Sequence, residues 1–501
     1  MRLAGFAAAF LLAAAPAAAA APPDADVGQV AFANSGAPSA QPSFLRGLAL
    51  LHNFEYSAAA AAFRAAQQAD PGFALAYWGE AMTYNHPVWL EQDAGAARAV
   101  LARLADSREG RLAKAKTARE RAWLDAVETL YGDGSKEERD RLYSAKMAAL
   151  FAARPDDVDA RAFYALSLLG LAHQGRDVPL YMRAAALLEE AFPENRNHPG
   201  VLHYLIHSYD DPTHAPLGVR AARLYGKVAP EAGHALHMTS HIFLALGQWD
   251  DVERANIAAM AVVDRDRAAA GRPPARCGHY SEWLVYAQLQ SADPEGASGI
   301  RRCRDDATAE LASAPSAGPI ETYRSAVLSW AGMAVWQLID SGKWEGSGAL
   351  ALPDGTYLMT RLVLAYGDVL AAKGDPAKAR SAHSRLSQAV EALGRARGSG
   401  RAEDPQASRR EAIILLQASG LEKLAAGNEE GGLADLRAAA AEEAAMPAEF
   451  GPPPIAKPSA ELLGDALLEA GRKAEAAAAY RAALAAAPGR RLSQAGLAAS
   501  R

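Results

Sequence analysis

Two pairs of histidines, His203 with His207 and His237 with His241, have the most chemically suggestive spacing in this chain. The members of each pair are four residues apart, which on a helix puts both imidazoles on one face. Each also lies 34 residues from its counterpart in the other pair. With His214 and His234, six of the chain's 12 histidines fall within 39 residues, where an even scatter would place about one. Neutral imidazole is a ligand for Zn²⁺ and Cu²⁺. Neighbouring helix axes run about 8–10 Å apart, so the four rings are placed to share one transition-metal ion between two helices. His234 or His279 completes or orients that site, and Met238, Asp210 and Asp211 offer supplementary ligands. Two other readings stay open: a hydrogen-bonded histidine seam that orders the inner helices, and direct recognition of an anionic organic ligand.

A weaker group comprises His52 and His86, also 34 residues apart, and His173. All three are expected near helix ends, where histidines also serve terminal carbonyls. Trp78 and Trp89 read as packing residues, and His198, His214 and His383 carry no argument. There is no glycine-rich phosphate loop, GxSxG elbow or HExxH, and the segment HYLIH lacks the glutamate of a protease helix. No catalytic residue is assigned, and the chemistry leans away from an enzyme. A metal-dependent hydrolase or oxidase would rest on a metal activating water, with Glu282, one turn from His279, as the nearest carboxylate.

The elements that must hold these rings are helical. Of 501 residues half are apolar, alanine dominates and alternating apolar patterns are nearly absent, which indicates an all-α protein. A net charge of −6 argues against nucleic acid or an anionic lipid surface as partner. Residues 1–21 combine Arg2, a short apolar run and Ala-x-Ala sites, the pattern of an export signal. Pro16 and the short core argue against a lasting membrane span. The mature protein is therefore expected in the periplasm or outside the cell. In such an oxidising compartment the only two cysteines, Cys277 and Cys303, are expected to form a disulfide across a helical hairpin.

Residues 22–41 read as a linker, 42–310 as a helical-repeat array, 311–397 as irregular hairpins and 398–501 as a second array. Counting from Ala40, Gly47, Tyr56, Ala59, Phe63, Ala66 and Pro71 occupy positions 8, 17, 20, 24, 27 and 32 of a 34-residue unit, with Tyr56 at 17. Counting from Lys457, Gly464, Ala476, Tyr480, Ala483 and Pro488 repeat the slots at 8, 20, 24, 27 and 32. Regularity is lost through 92–133.

On these slots the chain resembles exported bacterial tetratricopeptide-repeat proteins. The segments YWGEAMTYNHPVW, GHALHMTSHI and FGPPPIAKPSAELLGDALLEAGR are similar to a histidine-rich subfamily of them. The resemblance implies an α-solenoid that binds a protein or peptide in a concave groove, near unit positions 2, 5, 9, 12 and 13. His203 and His207 take positions 5 and 9 of the unit from Pro199, and His234, His237 and His241 take 2, 5 and 9 of the unit from Gly233. The expectation is thus an exported scaffold with a transition-metal site, zinc or copper, in its groove. The alternatives are a pure protein-interaction module with a structural histidine seam and the metal-dependent enzyme above.

Overall fold

The computed structural model describes residues 26–313, 320–397 and 406–501. The proposed export signal lies outside them. Among the described residues the protein is all-α, with 23 α-helices arranged as consecutive antiparallel hairpins and a single two-stranded ribbon pairing Asn85–His86 with Glu91–Gln92. No helix among them is long and apolar enough to cross a membrane.

The repeat slots behave as close approaches. A Cβ on Gly47 would stand 2.9 Å from the Phe63 ring, and one on Gly464 would stand 2.8 Å from Tyr480. The glycine at position 8 thus admits the aromatic at position 24, which is the tetratricopeptide-like packing unit. The irregular stretch 92–133 is itself helical, and its helix Ala118–Leu130 opens with a reciprocal Thr117/Glu120 capping box.

The array does not present an open groove. The helix Gln41–His52 packs on Pro199–Tyr209 across more than 140 residues of sequence. At the other end, Trp249 Nε1 donates to the Gly489 carbonyl at 3.0 Å, and Arg490 donates to the Tyr286 hydroxyl at 2.9 Å. Residues 26–37, within the stretch read as a linker, lack regular structure but are tied down. Gln29 N–H donates to the Asn197 carbonyl, Glu231 N–H donates to the Asp26 carbonyl, and Val27 and Phe32 are buried. Phe32 lies against Trp78 and Trp123, and burying such a ring is worth roughly 1.5–3 kcal/mol. The inner face of the central repeats is therefore covered on several sides.

Candidate metal centre

Three helices present the rings. The first, Pro199–Tyr209, starts at N-cap His198, whose Nδ1 accepts the Val201 N–H, with Pro199 at the first turn. The second, Gly233–Ala245, has no cap from its own chain neighbours. Glu55 Oε1, from the opposite hairpin, accepts the His234 N–H at 2.9 Å. The third, His279–Gln290, follows Gly278, whose φ of 107° suits glycine. The disulfide joining Cys277 to Cys303, with Cα atoms 4.9 Å apart, anchors its start.

These helices bring together two triads rather than one four-histidine site. His203, His207 and His234 each place a ring nitrogen within 4.8 Å of the others, and His237, His241 and His279 do the same. The i, i+4 pairs stay intact, but each takes its third member from the start of the next helix, where the ring lies level with the pair. The triads adjoin: ring centroids of His207 and His241 are 5.9 Å apart, and those of His234 and His237 are 6.1 Å apart. Nor do these histidines line an open concave groove. His203 and His237 have no exposed surface and His207, His234 and His241 are buried, because the closing hairpins cover them. His279 alone keeps solvent exposure.

The hydrogen bonds orient the rings inward. His203 Nδ1 donates to the His52 carbonyl at 2.6 Å, His237 Nδ1 to Asn256 Oδ1 at 2.7 Å, and His241 Nδ1 to Asp210 Oδ2 at 2.5 Å. Asn256 is itself fixed, its amide donating to the Val252 carbonyl at 2.9 Å. A proton held at Nδ1 leaves the Nε2 lone pair free, the arrangement found behind metal-bound histidines. The Nε2 atoms of His203, His207 and His234 are buried without any hydrogen-bond partner.

In the second triad, the Nε2 atoms of His237 and His241 face each other at 3.1 Å. With both Nδ1 protons committed, two lone pairs oppose one another. Two nitrogens sharing one ion at bonds of about 2.0–2.1 Å sit roughly 3.0–3.4 Å apart, so a cation between them resolves the clash. The histidines His203, His207, His234 and His237 are held well below the usual 6.5, first by burial and then by the charge their neighbours would carry. They stand ready as neutral ligands.

The remaining candidates divide. Asp210 supports His241 from behind, accepting from its Nδ1, and belongs to neither triad. Asp211 is not a ligand: it pairs with Arg176 at 2.7 Å and with His214 at 2.8 Å. Met238 belongs to the apolar core, and His173 lies beside Asp140 at 3.2 Å, outside both triads. His52 joins Asp159 and His198 in a third buried cluster. Burial raises the Glu282 carboxyl pKa, and Glu282 is not part of either triad. Trp78 is core, whereas Trp89 is exposed.

A cavity of about 840 Å³ opens over the pair of triads, within the range of organic-ligand pockets. One histidine of each triad, His234 and His279, reaches it, together with His86, which stacks on Tyr56 at 4.0 Å. Phe450, its ring centroid 5.5 Å from that of His241, also lines it, so all three segments quoted for the subfamily resemblance converge on this space. Sequence reasoning missed Glu55, Asn256 and Asp159, and no local pattern marks them, since each meets a histidine through tertiary packing alone.

Fold and rings together define a tetratricopeptide-like helical-repeat protein built around two histidine triads. No family model matches the chain, and no curated protein matches it. Among solved structures it is similar to the APC/C hetero-tetramer Cut9-Hcn1 at a TM-score of 0.38 and 10% identity, over 94% of this chain and 78% of that one. It is similar to the P58(IPK) TPR domain at 0.22 and 10%, over 92% and 97%. Against Naa15/Naa10 bound to HypK-THB the values are 0.20 and 12%, over 92% and 65%. Similarity at these levels carries no conclusion about function.

Proposed function

We propose that the protein is a transition-metal protein whose two triads hold a pair of ions side by side beneath the cavity. The observation that carries this reading is the set of three buried, unpartnered Nε2 atoms of His203, His207 and His234. An orphaned buried polar atom costs about 1–3 kcal/mol, and three converging ones are explained by a ligand that satisfies all three. The opposed Nε2 atoms of His237 and His241 support the second ion. Export belongs to the same proposal, supported by the Cys277–Cys303 disulfide. Protein partners, which helical-repeat scaffolds commonly take, would meet the outer faces, since the flanking segments cover the inner face on several sides.

The test is elemental analysis of untagged protein, stripped and then reconstituted separately with copper and with zinc. Two ions per chain are expected for the metal it accepts. Failure to take up either metal at micromolar concentration would reduce the triads to a structural seam.

A further inference from the structure

We infer that the ion pair is copper and that the cavity above it takes a small aromatic anion, an ortho-diphenol bearing a carboxylate, which the pair oxidises at the expense of dioxygen. This inference rests on the two-ion reading. Its first support is the donor set. All six convergent groups are imidazoles, and the carboxylate that touches them, Asp210, is spent on His241 Nδ1. Hydrolytic ion pairs rely on carboxylate ligands to offset two divalent charges, and on a base to handle the water proton. Neither is offered by the triads. Two divalent ions on neutral ligands would bury four positive charges, whereas two cuprous ions bury two, and burial of uncompensated charge is costly. Imidazole suits copper in both oxidation states.

The second support is adjacency. His207 packs edge-on to His241, and His234 lies beside His237. Ions in the two triads are therefore neighbours, able to deliver electrons to a single dioxygen molecule. The third is the cavity, which His234 and His279 enter from the two triads. Its walls near the rings are aromatic, including Phe54, Trp89, Tyr280 and Phe450, and suit a flat ring. Farther out stands Arg324, whose Nε lies 3.2 Å from the Tyr323 hydroxyl and which makes no ion pair among the described residues. Glu91 and Glu321 line the same cavity but are engaged, Glu91 by His86 and Glu321 by the Met359 and Thr360 N–H groups, so the Arg324 guanidinium is left to take a ring that carries an anionic tail.

The reaction balances without another reagent. Each ortho-diphenol gives up two electrons and two protons to become an ortho-quinone, and its two O–H bonds break. One dioxygen accepts four electrons and four protons from two diphenols and leaves as two waters, its O–O bond broken. The copper ions pass the electrons and end as they began.

The experiment uses the full untagged chain loaded anaerobically with copper. Oxygen uptake is then followed with 3,4-dihydroxyphenylpropionate and, as the uncharged comparison, 4-methylcatechol. We expect uptake well above that of the same copper in buffer, with two diphenols consumed per dioxygen. His207→Ala, checked for unchanged helix content, should lower the rate by about 100-fold or more. Arg324→Gln should raise the KM for the acid by about 10-fold and leave 4-methylcatechol unchanged. Two bound coppers with uptake no faster than free copper would overturn the inference and leave the two-ion reading standing. Uptake of zinc with refusal of copper would do the same. Binding of neither metal would overturn both. An Arg324→Gln variant that treats the two substrates alike would remove the anionic tail from the proposal.

Discussion

His52, Asp159 and His198 gather three ligand atoms within the same 4.8 Å as His203, His207 and His234, and both clusters are buried. They differ in what their atoms already hold. In the first, His52 Nδ1 lies 2.9 Å from the Tyr204 hydroxyl and its Nε2 3.0 Å from Asp159 Oδ1. His198 Nε2 lies 3.2 Å from the same oxygen, and its Nδ1 accepts the Val201 N–H. Every ring nitrogen is used, and only Asp159 Oδ2 is left over. In the second, the Nε2 atoms of all three histidines are buried without a hydrogen-bond partner. Proximity of ligand atoms is common to both, and saturation separates a structural knot from a receptive site. The two are also linked, because the His52 carbonyl holds His203 Nδ1. The saturated cluster is thereby a support for the receptive one.

Stoichiometry is where the contrast should be largest. Changing His203 and His207 to Ala together should leave one ion of two, and so should changing His237 and His241. Asp159→Asn should retain both. Loss of metal from the Asp159 variant, measured by elemental analysis after gel filtration, would erase the distinction between the clusters.

Stability of the metal-free protein should show the reverse order. Asp159→Ala removes a buried charge and leaves two histidine donors unpaired, a loss of roughly 3–5 kcal/mol in urea unfolding. His207→Leu removes an unpartnered nitrogen and should be neutral or slightly stabilising. If His207→Leu costs as much as Asp159→Ala, the nitrogen had a partner after all.

Acid should sharpen the comparison further. His203, His207, His234 and His237 have folded pKa values below 6.5, so the unfolded chain binds more protons there, and metal-free protein should begin to lose stability as the pH falls below 6.5. The saturated acids titrate lower. Burial alone would raise Asp159, but the hydrogen bonds from His198 and His52 hold it below the carboxylate range. Glu461, at the other end of the chain, is likewise opposed by burial but held at about 2 by Arg490 and Lys457. Its contribution, roughly 3 kcal/mol, is present above the unfolded value of 4.5 and lost as pH falls toward about 2. Glu461→Gln should flatten only this lower window, and His203→Leu with His207→Leu only the upper one, in unfolding curves recorded across pH.

The smallest effect is expected at Glu55, which caps the second histidine helix at His234. Glu55→Ala should cost about 1 kcal/mol and weaken the first ion by about 10-fold through the loosened His234, as read by calorimetric titration.

The sequence by itself determined the helices and the faces of the rings. Composition and period specified the all-α repeats, and Gly47 with Phe63, or Gly464 with Tyr480, could be assigned as packing partners because a 34-residue unit constrains its own interior. The i, i+4 spacing likewise set His203 beside His207 and His237 beside His241, since helical periodicity is a local property. What covers those faces is not local. The closure of the array buried a surface expected to lie open, and the stagger between successive helices divided one expected site into two. The atoms that orient the rings come from Asn256, Asp210 and, 151 residues from His203, His52. Tertiary structure alone decided these points, because burial and hydrogen-bond saturation depend on which distant segments meet, and no spacing along the chain encodes that meeting.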